Sequence, residues 1–351
     1  MMNKKIILAI GLLLFGVMLP AQKTINERLD SMFNSLSARN KSMGSICVSR
    51  DGKVIYCRAI GYSAIDGHTR LAATEGTKYR IASITKMFTA AIIFRLIQEG
   101  KLDYSAPLSD YFPKLPGAKV ITIEMLLNHR SGLHNIFDDA DFTSWKTVPR
   151  TKDEIVKMIG RFPLEFTPNS KAAYSNSNYI LLGYIIEHVC KKPYEDVVKN
   201  WVISKLGLKN TYCGNNADLA RGECYSYVYN SQWEKQPEAD MVLLGAAGGL
   251  LSTPTDLNKF IEAVYEHKFF KARHLKRMQE IKDGYGMGTY KFTFGKHVGY
   301  GHPGSIDGFS SVLEYFPDDK LAVSYCSNGT ITPVTDIVNG VLKIVFSENQ
   351  K

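Results

Sequence analysis

The hydrophobic residues just after position 24 have helical spacing. Ile25, Leu29, Phe33 and Leu36 recur three or four residues apart, with polar residues between them. Side chains at this spacing share one face of an α-helix, so the pattern predicts an amphipathic helix over residues 25–36.

An Asp-Gly pair separates the next two apolar runs, residues 45–49 and 54–62. Asp-Gly between two runs with strand character is a strong signal for a tight hairpin turn. The pattern predicts a β-hairpin in which a two-residue turn pairs Arg50 with Lys53.

The central part of the chain has mainly helical patterns. Residues 83–99 are apolar almost all round and are followed by Gly100, which predicts a buried helix ending at a glycine. From residue 103 to about residue 215, helical runs alternate with loops rich in Pro, Gly and Asn. Residues 241–249 are small and apolar, and residues 252–256 predict the start of another helix.

Strand patterns return after Gly284. They predict strands over residues 286–294, 308–315 and 321–327, the last two joined by a Pro-Asp-Asp turn, and then a final helix over residues 334–346.

Strand patterns at both ends of the chain, with a helical block between them, predict an α+β fold. Both ends would contribute to one antiparallel sheet flanked by helices, with an inserted and mainly helical lobe beside it. The predicted α/β lobe covers about residues 22–102 and 240–351, and the helical lobe covers about residues 103–239. A cleft between the lobes is the expected place for an active site.

The first residues have the layout of a secretory signal peptide. Two lysines precede an uncharged apolar run at residues 6–19, and Ala21 follows as a small residue at the cleavage position. We therefore expect a mature chain that begins near Gln22 and is periplasmic or secreted. An uncleaved anchor is the alternative, although the run is short for a bilayer span. No other segment is apolar enough to span a membrane.

Composition excludes several classes of protein. Hydrophobic residues make up 45% and charged residues 22% of the chain, which are globular values. The net charge of +9 comes from scattered Lys and Arg residues, without a basic run that contains aromatics. This distribution favours a solvated basic surface over a nucleic-acid partner. No pattern in the chain predicts an oligomeric state.

The six cysteines are too few for a disulfide scaffold in 351 residues, and their spacing matches no zinc site. A regular hairpin would point Cys47 and Cys57 to opposite faces, so that a bridge between them would need a bulge. Cys213 and Cys224 are the preferred pair. No set of His, Cys, Asp and Glu residues has ligand spacing, so we expect neither a metal nor another cofactor.

A Ser-x-x-Lys motif, Ser83 to Lys86, opens the predicted buried helix. Residues three apart share a helix face, which brings the Lys86 amine within a turn of the Ser83 hydroxyl. A serine needs a neighbouring base to become a nucleophile, and a buried lysine can be that base. The motif alone is weak, because a capping serine followed by a surface lysine has the same pattern.

Two further motifs contain residue types suited to acyl transfer. Tyr174-Ser175-Asn176 supplies a phenol that could move a proton and an amide that could hold a substrate carbonyl. His302-Pro303-Gly304-Ser305 has a glycine that permits close backbone approach and, beyond it, an N–H suited to an oxyanion hole. Another His-x-Gly begins at His297, so this third signal is ambiguous by itself.

In this order the three motifs resemble those of the serine β-lactamase and penicillin-binding-protein superfamily. The resemblance is closest to the class C β-lactamase branch, which includes D-alanyl-D-alanine carboxypeptidases, D-aminopeptidases and related esterases. It extends from about Ile25 to Phe346. The supporting segments are residues 126–133, 174–179, 248–253 and 302–309.

The resemblance implies a β-lactamase/transpeptidase-like fold and a role for each motif residue. Ser83 would form the acyl-enzyme, Lys86 would be a base or an electrostatic partner, and Tyr174 would act as base and then acid. Asn176 would bind the substrate amide, and the backbone N–H groups of Ser83 and Ser305 would form the oxyanion hole. His302 occupies the place of a lysine in class C enzymes, where we expect its charge to depend on pH.

The sequence departs from the family pattern at two positions. Pro303 stands where Ser or Thr is common, which removes an N–H and a hydroxyl from the substrate-lining strand and counts against binding a penicillin carboxylate. Asn169 stands where a Pro-Gly is usual before the Tyr-x-Asn loop, and Asn tolerates left-handed backbone almost as well as Gly.

The expected partner is a small molecule or a peptidoglycan-type peptide, cleaved at an amide or ester bond. An esterase or D-amino-acid peptidase keeps the same chemistry with another substrate. A penicillin-binding or sensing module would form the acyl-enzyme without efficient turnover. A degenerate scaffold is disfavoured because Ser83, Lys86, Tyr174 and Asn176 are all present.

Overall fold

The computed structural model describes residues 24–67 and 69–347. The predicted signal peptide lies outside these ranges. Within them, none of the helices combines the length and the apolar character that a bilayer span requires.

The helices agree closely with the sequence patterns. The predicted first, buried and final helices are all present, and Thr24 caps the first by accepting a hydrogen bond from the Glu27 N–H. In chain order the α-helices are α1 Ile25–Ala38, α2 Thr85–Gln98, α3 Ile123–Leu127, α4 Phe142–Trp145, α5 Lys152–Gly160, α6 Asn176–Cys190, α7 Tyr194–Val198, α8 Ser204–Leu206, α9 Met241–Gly248, α10 Pro254–Tyr265, α11 Ala272–Met278 and α12 Val334–Phe346.

Strands concentrate at the two ends of the described chain, as predicted. They are β1 Ser42–Arg50, β2 Lys53–Ile60, β3 Tyr62–Asp66, β4 Thr69–Ala72, β5 Tyr79–Arg80, β6 Tyr212–Cys213, β7 Tyr227–Asn230, β8 Gln232–Lys235, β9 Leu250–Ser252, β10 Tyr290–Phe294, β11 His297–Ile306, β12 Phe309–Phe316 and β13 Leu321–Thr330. The patterns did not predict β11, because its Gly-Tyr-Gly-His-Pro-Gly stretch lacks an alternation of apolar and polar residues.

The main sheet has six strands in the order β10-β11-β12-β13-β1-β2, and every pairing in it is antiparallel. Helices α1 and α12 cover one face through a cluster that includes Phe33, Val323 and Val341. Helix α10 packs against the opposite face, where Leu257 and Phe260 join the larger core that surrounds α2. These observations confirm the α+β class and the contribution of both chain ends to one sheet.

The disulfide expectation was wrong. Cys47 and Cys57 form a disulfide, with Cα atoms 4.3 Å apart, whereas Cys213 and Cys224 are free. The turn pairs Arg50 with Lys53 as predicted, but a register shift after Val48 leaves one extra residue on β2. This bulge brings the two cysteines opposite each other, which a regular hairpin does not.

Candidate active site

Ser83 lies in a tight turn at the start of α2. A 3₁₀ turn over Ala82–Ile84 precedes the helix, and Ala82 has a φ of 45°. A residue with a Cβ rarely adopts this left-handed conformation, and such strain is often found at functional sites. The turn leaves Ser83 partly exposed at the floor of a cleft, although both of its neighbours are buried.

Strand β11 holds this turn from the side. A Cβ on Gly304 would lie 2.2 Å from the Ile81 carbonyl oxygen and 3.1 Å from the Ser83 nitrogen, so only glycine fits there. The Ser311 hydroxyl donates to the same Ile81 carbonyl at 3.0 Å. The main sheet therefore fixes the backbone of the candidate nucleophile.

Lys86 lies beneath Ser83 and is completely buried. Its Nζ is 3.0 Å from Ser83 Oγ, 2.8 Å from Asn176 Oδ1 and 2.7 Å from the Ala247 carbonyl oxygen. Burial holds the pKa of the Lys86 amine well below its usual range. A neutral amine has two N–H donors, which the Asn176 and Ala247 oxygens can accept. Its lone pair is then left for the Ser83 O–H.

Tyr174 contacts Ser83 from another side. Its hydroxyl donates to Ser83 Oγ at 2.7 Å. Burial raises the pKa of Tyr174 above its usual value, so the phenol keeps its proton at neutral pH. A protonated phenol suits the acid role that the resemblance implies for Tyr174 better than the base role. Ser83 Oγ thus has a base on one side and an acid on the other.

His129 and Asn135 support the second motif. The Ala173 N–H donates to the His129 carbonyl at 2.9 Å, and the His129 ring lies 4.5 Å from the Tyr174 ring. Asn135 Oδ1 accepts from the Asn176 backbone N–H at 2.9 Å. The sequence motifs include neither residue as a predicted site residue. His129 belongs to a segment that carried the family resemblance, whereas no pattern in the sequence identifies Asn135.

His302 lies in the cleft wall but is 2% exposed. Its Nδ1 is 2.5 Å from the Pro303 carbonyl oxygen, and its ring lies 4.8 Å from that of Tyr290. Burial lowers the pKa of His302 to about 3. The imidazole is therefore neutral at physiological pH, which corrects the expectation that its charge would change near neutrality.

The competing His-x-Gly copy lies elsewhere on β11. His297 stacks on Phe346 at 3.7 Å between ring centroids, and its Nδ1 is 2.8 Å from Asp319 Oδ2. Of the two copies, the one that begins at His302 is the one that lines the cleft beside Ser83.

The cleft has a volume of about 380 Å³ and brings the three motifs together. The predicted residues that line it are Ser83, Tyr174, Asn176, His302, Gly304 and Ser305. The backbone N–H groups proposed for the oxyanion hole belong to two of these residues. No cluster of three or more His, Cys, Asp or Glu side chains in residues 24–67 and 69–347 could hold a metal ion.

Known proteins resemble this chain over most of its length. The model of the family described as Beta-lactamase matches residues 29–343. Penicillin-binding protein 4* from Bacillus subtilis (strain 168) is 25% identical over 327 residues, covering 86% of this chain and 71% of that protein. A teichoic acid D-alanine hydrolase from Staphylococcus aureus is 24% identical over 343 residues, covering 92% of this chain and 82% of that protein. The structure of the D-amino acid amidase from Ochrobactrum anthropi SV3 complexed with D-phenylalanine has a TM-score of 0.80 and 26% identity, covering 92% of this chain and 99% of that chain.

Proposed function

The chain belongs to the beta-lactamase family and is a serine hydrolase, and from this premise we propose that it cleaves D-alanyl or related amide and ester bonds through an acyl-enzyme on Ser83. The observation that carries the proposal is the position of Ser83 Oγ between the Lys86 amine and the Tyr174 hydroxyl. The named activities of the relatives support D-amino-acid chemistry in the acyl donor.

Acylation begins with proton transfer from the Ser83 hydroxyl to the neutral Lys86 amine. Because the lone pair of Lys86 faces Ser83, attack on the substrate carbonyl needs no prior rearrangement of the side chains. The backbone N–H groups of Ser83 and Ser305 stabilise the oxyanion. Because the backbone already holds these donors in place, they need no reorganisation when the negative charge develops.

Tyr174 supplies the proton that the leaving group needs. Its raised pKa keeps the phenol protonated, and its hydroxyl lies 2.7 Å from the attacking oxygen. After the leaving group departs, Lys86 holds the proton taken from Ser83 and Tyr174 is left as a phenolate, so the proton on Lys86 is the one that restores the phenol. Water then hydrolyses the ester on Ser83.

The test is labelling with a fluorophosphonate, followed by intact-mass analysis, peptide mapping and hydrolysis of p-nitrophenyl esters. We expect a single adduct on Ser83 and a loss of at least about 10³-fold in kcat for Ser83→Ala. The control is Ser170→Ala, which changes an exposed serine outside the cleft. Labelling of another serine, or full activity in Ser83→Ala, contradicts the proposal.

Deacylation distinguishes a hydrolase from the alternative, a penicillin-binding or sensing module. A hydrolase releases its acyl group with each turnover, whereas a sensing module retains an adduct that mass spectrometry detects after excess acyl donor is removed. A D-Ala-D-Ala peptide and a chromogenic cephalosporin, followed in the same way, compare the candidate acyl donors.

We also propose that the protein acts outside the cytoplasm. The charged start, the apolar run and Ala21 support export. The Cys47–Cys57 disulfide suits an oxidising compartment. N-terminal sequencing of protein from the periplasm or medium should find a chain that begins near Gln22, and an intact Met1 would indicate an anchor instead.

A further inference from the structure

The walls of the cleft beside Ser83 are uncharged. Among the described residues that line it there is no Asp, Glu, Lys or Arg, and its only titratable groups are Tyr174, Tyr290 and His302. Lys86 lies below the floor and is buried. A substrate group that enters the cleft therefore meets hydrogen-bonding and apolar groups, but no countercharge.

The site of leaving-group departure follows from the position of the acid. Tyr174 donates to Ser83 Oγ, so the leaving group must depart next to the phenol to collect its proton. The His302 ring centroid lies 6.3 Å from that of Tyr174 and 4.8 Å from that of Tyr290. Tyr174, Tyr290 and His302 therefore form the wall that the leaving group contacts.

This wall can accept a hydrogen bond but cannot neutralise an anion. In the neutral ring, Nδ1–H of His302 donates to the Pro303 carbonyl, which leaves Nε2 with its lone pair. Nε2 has no hydrogen-bond partner among residues 24–67 and 69–347. Pro303 itself offers no N–H to a substrate.

Two cations attached to cleft-lining segments are already paired. Arg80, two residues before Ala82, is buried and forms an ion pair with Glu238 at 2.6 Å. Lys146 forms an ion pair with Asp307, which follows the lining residue Ile306. Neither charge is free to attract a carboxylate to the leaving-group wall.

We propose that the enzyme selects acyl donors whose leaving group is uncharged and carries an O–H or N–H, such as a hydroxylated alcohol or the ammonia of a primary amide, and disfavours leaving groups with a free carboxylate. This inference rests on the proposed function. The bond from Ser83 Oγ to the acyl carbon forms, the bond to the leaving oxygen or nitrogen breaks, and the leaving atom takes the Tyr174 proton. A carboxylate beside that atom would lose water without gaining a countercharge.

A pair of matched thioesters tests the proposal. One is N-benzoyl-D-alanyl thioglycolate, whose leaving group carries a carboxylate, and the other is the same compound with that carboxyl converted to a primary amide. Thiol release gives kcat/KM at pH 7.5, and each value is divided by the rate of spontaneous hydrolysis. We expect the normalised value for the amide to exceed that for the carboxylate by at least about tenfold, a difference of about 1.4 kcal/mol.

Two lysine variants on β11 test whether the uncharged His302 causes the preference against a carboxylate leaving group. His302→Lys should raise the carboxylate rate relative to the amide rate by at least fivefold. His297→Lys is the matched control, because it adds the same charge to the same strand beside Phe346 and Asp319, and it should leave the ratio unchanged. Equal normalised rates in the wild type, or a ratio that His302→Lys does not change, would overturn the inference. Failure to turn over either thioester, or turnover by Ser83→Ala, would instead overturn the proposed function.

Discussion

At the scale of the residue, burial determines what each side chain at the candidate site can do. It lowers the pKa of the Lys86 amine and raises that of the Tyr174 phenol. The two shifts move the groups to opposite roles, because the neutral amine accepts a proton while the neutral phenol donates one. Burial thus favours a base on one side of Ser83 and an acid on the other.

The lysine must be able to lose its charge for this arrangement to work. Replacement by arginine keeps the charge at all accessible pH values, so we expect Lys86→Arg to lose at least about 10³-fold in kcat/KM. Lys119→Arg, at an exposed position, is the control and should retain full activity. Ester hydrolysis by the purified variants measures the effect, and comparable rates in both would exclude Lys86 as the base.

The depressed pKa also predicts the shape of the pH profile. As pH falls through the pKa of Lys86 in the folded enzyme, the amine gains a proton and kcat/KM should fall about tenfold per pH unit. His302 stays neutral at pH values above its own pKa of about 3. The profile of His302→Gln should therefore have the same ascending limb as that of the wild type. A limb that disappears in this variant would assign the titration to His302.

At the scale of the element, the site depends on the contact between β11 and the turn that contains Ser83. The substitution Gly304→Ala would place a methyl group against the Ile81 carbonyl oxygen and the Ser83 nitrogen. We expect this variant to lose at least about 10²-fold in kcat, since displacements near 1 Å are costly at an active site. Gly76→Ala is the matched control, because its added carbon would meet nothing closer than 3.7 Å. The measurement is kcat per active site, with the concentration of active sites found by titration. Circular dichroism shows whether each variant is folded.

Strand β12 carries a buried carboxyl, Glu314, that should make the free energy of unfolding depend on pH. Glu314 is 5% exposed, and burial raises its pKa to about 7 from an ordinary value near 4.5. Between these pH values the folded state holds a proton that the unfolded state has released. The free energy of unfolding should therefore fall by up to about 3 kcal/mol as pH rises from 4.5 to 7.

Urea unfolding of Glu314→Gln tests this titration. The variant should lose most of the decrease in the free energy of unfolding, because its amide does not ionise. Glu234→Gln, at an exposed position on β8, should keep it. The same pH dependence in all three proteins would rule out Glu314 as its source.

Sequence patterns predicted elements better than they predicted local irregularities. Helices α1 and α12 follow apolar spacing closely: α12 has the predicted bounds, and α1 extends two residues beyond the predicted range of 25–36. The bulge on β2 and strand β11 depart from regular periodicity, so the patterns missed both. The candidate site shows the same contrast. Sequence motifs predicted Ser83, Lys86, Tyr174 and Asn176, whereas Asn135 and the Ala247 carbonyl contact the site only because of tertiary packing.

At the scale of the whole molecule, the Cys47–Cys57 disulfide closes the hairpin that forms one edge of the main sheet. Its removal in the double variant Cys47→Ala/Cys57→Ala should lower the free energy of unfolding by about 2 kcal/mol, because the unfolded chain regains freedom. Cys190→Ala, which removes a free thiol, should have little effect. Calorimetry with and without reductant measures both, and a wild-type Tm insensitive to reductant would contradict the expectation.

The order of strands in the main sheet also constrains when the protein can become folded during its synthesis. Strand β1 pairs on one side with its sequence neighbour β2, but on the other side with β13, which ends at Thr330. A nascent chain can therefore form the hairpin early, yet it exposes one edge of β1 until β13 has left the ribosome. The turn around Ser83 is held by β11 and Ser311, which also come late. The nucleophile is thus synthesised long before the strands that make it reactive, and a truncated product should carry Ser83 without hydrolase activity.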